Sequence, residues 1–194
     1  YYVVDAVDGS VFMADALGTD GDKLAVTDHT LGKLLIDLGT VRDISYGGDK
    51  LKWLADLRPR RADAAPGRSA DGFLIDATIF APSLRLVGTD CDRGVSLTGG
   101  SSVTYDLGGQ YKTFVCVAGV PVDMLPSASA VFVAEADGKE LFRSPPRTSI
   151  QDALPVSIDT SKLKTITLRV ESQNGSPLPV VGLWGDPLLV KSSP

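Results

Sequence analysis

SVTYDLGGQYKTFVCVAGV, Ser102 to Val120, reads as a strand, a two-glycine turn and a second strand. Val103 and Tyr105 alternate with polar neighbours. Leu107-Gly108-Gly109 interrupts the run, and Phe114, Cys116 and Ala118 then fall on one face of a new one. Side chains of a strand point to alternate faces, so a period of two with one apolar half predicts an antiparallel pair that buries one side. The glycines supply the backbone freedom that a tight turn needs.

The same grammar extends in both directions. FLIDATIF, SLRLVG, GVSLTG and SSVTYDL run up to the turn; KTFVCVAGV, SAVFVAEAD, KELFRS, LPVSID, TITLRVES and VVGLWGDPLLV follow it. ADGKELF is a second hairpin, with Asp137-Gly138 at the turn and Glu140 and Arg143 facing solvent. In TITLRVE, Ile166, Leu168 and Val170 face one way and Thr165, Thr167 and Arg169 the other. No segment holds helical periodicity for three turns. So many short strands predict an all-β sandwich with jelly-roll-like order.

The first fifty residues predict a smaller unit of about five strands: YYVVDAV, VFMADAL, LAVTD, GKLLIDL and VRDISY, with turns at Asp8–Ser10 and GTDGDK. Such a meander is stable only if it curls on itself or docks on a neighbour. LKWLADLRP, Leu51 to Pro59, suits a helical turn stopped by the proline and a strand leading onward equally well. RRADAAPGRSADG, Arg60 to Gly72, is small, polar and broken by Pro and Gly, and predicts an exposed loop. The expected domains are residues 1–50 and 51–194.

Composition narrows the function classes. The 194 residues are 43% hydrophobic with a net charge of -5. A nucleic-acid partner calls for a basic face, and the one basic cluster, Arg58 to Arg61, is four residues beside a loop. No apolar run approaches the ~20 residues that span a bilayer. The chain begins at Tyr1 without a methionine, which points to a segment of a longer protein. Two cysteines, Cys91 and Cys116, leave one disulfide open as an alternative to two reduced core thiols.

Enzymatic chemistry finds few materials. His29, the only histidine, lies in the turn TDHTLG and reads as a solvent-facing residue. No Gly-x-Ser-x-Gly elbow is present. Asp90 and Asp92 flank Cys91 and read as solvated acids of a turn. TDGDK and TDCD offer hard oxygens but fall short of the 6–8 ligands of a calcium loop. A calcium held through backbone carbonyls stays open; no catalytic residue, metal ligand or cofactor is expected.

The second part resembles a known family. YDLGGQYKTF, then AVFVAEADGKELFRS, then PVSIDTSKLKTITLRVES and a late Trp184 in GLWGDPLLV are similar in order and spacing to NPCBM domains, from about Leu51 to Val190. WLADLRP and SLRLVGTDCDRGVSL resemble further family segments. DGSVF, KLAVTD and LLIDLGTVRDI resemble the small Sm- or SH3-like β unit that precedes this module in some bacterial proteins. The resemblance implies a galactose-binding-like sandwich, extracytoplasmic and non-catalytic, that binds galactose-type sugars in a shallow polar site.

Where the family writes Gly-Leu-Gly-x-His-Ala-x-Ser, this chain has GVSLTGGS, with Thr98 at the histidine position. Gly-Val-Asp-Asp becomes GVPVD, with Pro121 and Val122 for the acidic pair and Asp123 close by. Asp-His-Ala-Asp-Trp becomes VVGLW: Val180, Val181 and Leu183 stand at its three polar positions and Trp184 is kept, with Asp186 two residues on. The resemblance thus puts ligand contacts at Thr98, Asp123, Trp184 and Asp186, in a sugar site degraded or rebuilt. An exposed Trp184 would serve a sugar; a sealed one is core packing and favours a protein-interaction or scaffold module. Trp53 reads as a cover over the seam between the two units.

Overall fold

The structure is a computed structural model describing residues 1–28, 32–46, 48, 50–65, 72–78, 84–173 and 180–191. His29 and the middle of the expected 60–72 loop lie outside the described residues. The chain divides into two compact units, Tyr1–Leu51 and Lys52–Pro194.

The first unit contains β1 (Tyr2–Ala6), β2 (Val11–Ala14), β3 (Ala16–Asp20), β4 (Lys23–Asp28), β5 (Gly32–Asp37) and β6 (Val41–Tyr46). They form two antiparallel three-stranded sheets, β2-β1-β6 and β3-β4-β5. VFMADAL, expected as one strand, is two: the chain bends at Asp15, whose N–H donates to the Thr27 carbonyl, and passes from one sheet to the other. That bend lets the meander close on itself around Val4, Ala14, Leu24 and Val26, with Tyr2, Phe12 and Ile36 packed on them.

The second unit opens with β7 (Leu51–Trp53) and a 3-10 turn at Leu54–Asp56, so LKWLADLRP is a strand followed by a turn. Then come β8 (Arg61–Asp63), β9 (Phe73–Ile75), β10 (Leu84–Leu86), β11 (Thr89–Cys91), β12 (Gly94–Thr98), β13 (Ser101–Asp106) and β14 (Tyr111–Gly119). The chain continues through β15 (Ser129–Ala136), β16 (Lys139–Arg143), β17 (Arg147–Thr148), β18 (Leu154–Asp159), β19 (Thr165–Gln173) and β20 (Val181–Lys191). One sheet runs β18-β14-β20-β12-β9 with β7 also on β20; the other runs β16-β15-β19-β13-β8 with β17 also on β15. The expectation of an exposed loop from Arg60 is corrected at Arg61–Asp63, which pairs with Thr104–Ser102 of β13. Three residues are too few to display alternation, yet they satisfy backbone groups at a sheet edge that would otherwise stand open.

The two sheets face each other across one core. Phe114 on β14, Leu97 on β12 and Trp184 on β20 meet Phe132 on β15, Leu168 and Val170 on β19 and Tyr105 on β13, all essentially sealed from solvent. The sheets approach closely at Gly182, where a Cβ would come within 2.9 Å of Val170 and Phe132 side-chain atoms. The opening hairpin stands as read: Gly108 and Gly109 take φ of 60° and 68° between β13 and β14. Cys91 and Cys116 are free thiols, Cys116 in the core and Cys91 half-buried. Burial first, and then the charge of Asp186, pushes the Cys91 thiol up to about 12.

β10 and β11 form a hairpin outside the two large sheets. It lies on the outer face of the β14-β20-β12 sheet, where Leu84 and Leu86 cluster with Leu183, Val117 and Ala153. Gly94 and Gly119 allow the close approach: a Cβ at either would meet Leu84 or Leu86 within 3.1 Å. The hairpin is tied down by Val122 N–H to the Arg85 carbonyl and Ala153 N–H to the Val87 carbonyl.

Candidate functional site

Antiparallel register decides which side chains share a face. β12 and β20 pair Gly94 with Gly185, Val95 with Trp184, Ser96 with Leu183, Leu97 with Gly182 and Thr98 with Val181. Directly opposed residues point the same way. Val95, Leu97, Gly182 and Trp184 therefore turn inward to the core. Gly94, Ser96, Thr98, Val181, Leu183 and Gly185 turn outward, and β9 adds Leu74, the partner of Ser96. Three positions that the sequence comparison flagged as lost polar groups, Thr98, Val181 and Leu183, thus meet on one outer face.

That face is apolar and largely covered. Leu183 is 0% exposed beneath Leu84 and Leu86, and Val181 is buried beside it. Thr98 is buried too, and its hydroxyl is engaged: Oγ1 lies 2.8 Å from Ser101 Oγ and 3.3 Å from the Gly72 carbonyl oxygen. Ser101 Oγ in turn accepts from the Ala65 N–H. Ser96 is buried with Oγ lacking a hydrogen-bond partner among the described residues. Gly72, Phe73, Leu74, Ser96, Leu97, Thr98 and Val181 border a shallow surface dimple with no enclosed room for a water molecule.

The four residues expected to touch a ligand are not gathered into one site. Trp184 is 0% exposed, with its ring edge-on to Phe132 at 5.3 Å and to Phe142 at 6.3 Å. A ring so enclosed offers no face for a sugar to stack on. Asp186 sits in β20 where the register against β14 shifts, with a left-handed φ of 46°. Its Oδ1 accepts from the Asp92 and Arg93 N–H groups at 3.0 and 3.1 Å, so it clamps the turn entering β12. It stands five residues along the ladder from the Thr98–Val181 pair, roughly 16 Å at the rise of a strand. Asp123 lies on an exposed turn after β14, between Val122, bonded to β10, and Met124.

A second polar constellation surrounds Arg93. Its guanidinium reaches Asp56 and Asp76, each at 2.7 Å, and lies 6.0 Å from the Trp53 ring centre. Asp76 Oδ1 also accepts from the Gly94 N–H. These bonds tie the Leu54–Asp56 turn, the end of β9 and the start of β12 together, and Trp53 packs within that knot. Asp90 belongs to β11, paired with Arg85 at 3.1 Å, rather than to a turn. Among the described residues no group of His, Cys, Asp and Glu is placed to hold a metal ion.

Ser96, Leu84 and Leu86 were missed as members of this face. Their signal is present in the sequence as alternation: Ser96 and Thr98 share a parity in GVSLTG, and Leu84 and Leu86 share one in SLRL. What the letters lack is the partner strand that puts them together.

The whole matches known proteins in one direction. No curated protein matches the sequence. Among solved structures, the CBM51 module of Clostridium perfringens GH95, in complex with methyl-galactose, is 22% identical with a TM-score of 0.62. That match covers 72% of this chain and 99% of that one. CBM51-2 with the INT domains of Clostridium perfringens ZmpB, in complex with GlcNAc, gives 17% and 0.64, covering 97% of this chain and 43% of that one. The tandem CBM51 modules of a Streptococcus pneumoniae family 98 glycoside hydrolase give 17% and 0.63, over 83% and 56%. At these identities the likeness establishes the β-sandwich fold. The family model for the NPCBM/NEW2 domain matches residues 50–190, the span that folds as the two facing sheets, and the chain belongs to that family.

Proposed function

We propose that this chain is a non-catalytic, carbohydrate-binding-type module of an extracytoplasmic bacterial protein, with the family's usual sugar site rebuilt around apolar side chains. The boundary near residue 50, between a small Sm/SH3-like unit and the sandwich, is part of the same reading. The observation that carries it is the outer face of β12 and β20. Thr98 and Val181 are opposed there, and Leu183 is sealed under the leucines of the β10–β11 hairpin. A galactose-type sugar needs fixed donors and acceptors for its hydroxyls and an apolar surface for its ring. Leu183 and Val181 supply no hydrogen bond, Thr98 has spent its own, and Trp184 is enclosed.

The test is calorimetric titration of methyl galactoside beside a glycan array. The expected outcome is no saturable heat at millimolar galactoside, with binding confined to other sugars on the array. Saturable galactoside binding would contradict the rebuilding, and a blank array would contradict carbohydrate recognition itself. A second reading, a protein-interaction module without a sugar ligand, is favoured by Leu125 and Ile150, which are 53% and 69% exposed. They stand on adjoining loops joined by the bond from Ser149 Oγ to the Met124 carbonyl.

A further inference from the structure

The charge of the chain is unevenly spread. Residues 1–51 carry nine Asp against four Lys and Arg, which is the whole of the chain's net charge of -5. The remaining residues hold fifteen acids and fifteen bases. The first unit is therefore the acidic one, and a macromolecule drawn to it by charge is basic.

The four edge strands of that unit are not alike. An edge presents unpaired N–H and C=O groups to any extended chain, and proteins blunt it with charged side chains, proline or bulges. β6 carries Arg42 and Asp43, β5 carries Lys33 and Asp37, and β3 ends in Asp20. β2 is Val11, Phe12, Met13 and Ala14, with no charge, no proline and an unbroken register against β1. Val11 and Met13 are 59% and 56% exposed. Met13 stands opposite Val3 and Val11 opposite Asp5, with Ser45 and Asp43 next along on β6. The outer face of this sheet is thus apolar at the β2 edge and acidic toward β6. On the other face Phe12 is half-buried at the margin of the unit's core. Exposed Asp8 and Asp15 flank the strand at its two ends.

We propose that the free edge of β2 docks an extended segment of a partner protein, apolar at its centre and basic at both ends, as an added strand. The backbone of β2 supplies the ladder, Val11, Met13 and Phe12 meet the apolar centre, and Asp8 and Asp15 attract the basic ends. Two copies of this chain pairing through β2 would bring two units of the same excess negative charge together, so like charge disfavours a second copy as the occupant. The surface lies wholly on the first unit and stands independently of the sugar reading.

The experiment titrates the full chain, by residue-resolved NMR, with the acetylated and amidated peptide Lys-Val-Thr-Val-Thr-Val-Lys. One control peptide has Glu at both ends, and another has proline in place of the central valine, which removes a ladder donor. The expected result is saturable shifts and slowed amide exchange at Val11, Phe12 and Met13 with the basic peptide, and neither with the controls. The double variant Val11→Ser, Met13→Ser keeps the charge of the unit and, both side chains being exposed, its melting temperature. It is expected to weaken binding about tenfold, for the apolar contact removed. Binding of either control as tight as that of the basic peptide overturns the inference. So do shifts centred away from β2, unchanged affinity in the double variant, or no saturable shift at millimolar peptide. Self-association of the wild type that the double variant abolishes overturns it too, by making a second copy the occupant.

Discussion

Asp186 carries two loads at once. Its backbone is left-handed, which only glycine adopts freely and which Asn and Asp tolerate better than other residues. Its carboxylate holds two backbone N–H groups at the entry to β12. Asp186→Ala is expected to lower stability by about 1–3 kcal/mol, through two donors left without a charged acceptor. Asp186→Asn, which keeps an acceptor oxygen and the tolerated backbone, is expected to lose clearly less. Urea unfolding of the two variants reads the difference; equal losses would assign the effect to the carboxylate charge, which both variants lack, rather than to the acceptor oxygen or the backbone. On the opposite sheet, the Arg143 guanidinium hydrogen-bonded to Glu171 holds that carboxyl below its ordinary value of 4.5. A carboxyl depressed on folding stabilises the native state above its unfolded pKa and loses that contribution as pH falls through its folded pKa. Wild-type stability should therefore drop more steeply below pH 4.5 than that of Glu171→Gln, in melts recorded down the acid range.

At the scale of elements, the β10–β11 hairpin determines what the outer face can do. Leu183→Asp would restore an acidic group at a position where the family writes one, but here it would place an unpaired carboxylate under Leu84 and Leu86. The expected result is a loss on the order of 3 kcal/mol or more, or displacement of the hairpin, since a buried charge without a partner is among the costliest changes. An unchanged melting temperature with increased proteolysis near Arg85 would indicate displacement; unchanged behaviour in both would show the hairpin is not a cover. This element also marks where reading the letters stopped short. The hairpins at Gly108-Gly109 and Asp137-Gly138 were legible because turn chemistry and alternation sit within a few residues of each other, and the left-handed φ at all four positions agrees. The buried run of Ile166, Leu168 and Val170 was legible for the same reason. β8 has three residues, too few to show a period, and its partner β13 is distant in sequence.

Across the molecule, the sandwich and the proposed rebuilding of its site are separable features. The family's order of segments was readable because it is spread over some 140 residues and constrained by core packing, with Phe132, Leu168 and Trp184 in the places the fold needs. The site was only partly readable. Thr98, Val181 and Leu183 could be flagged one by one, but their meeting on one face depends on the register of β12 and β20. Asp123, Trp184 and Asp186 went elsewhere: to an exposed turn, the core and a backbone clamp. The central claim is that this face no longer grips a sugar as a polar site would. Its most direct measurement is a residue-resolved NMR titration with methyl galactoside. The account predicts no saturable shift in the amides of Ser96, Thr98, Val181 and Leu183. Shifts at those residues that saturate together at millimolar galactoside would contradict it.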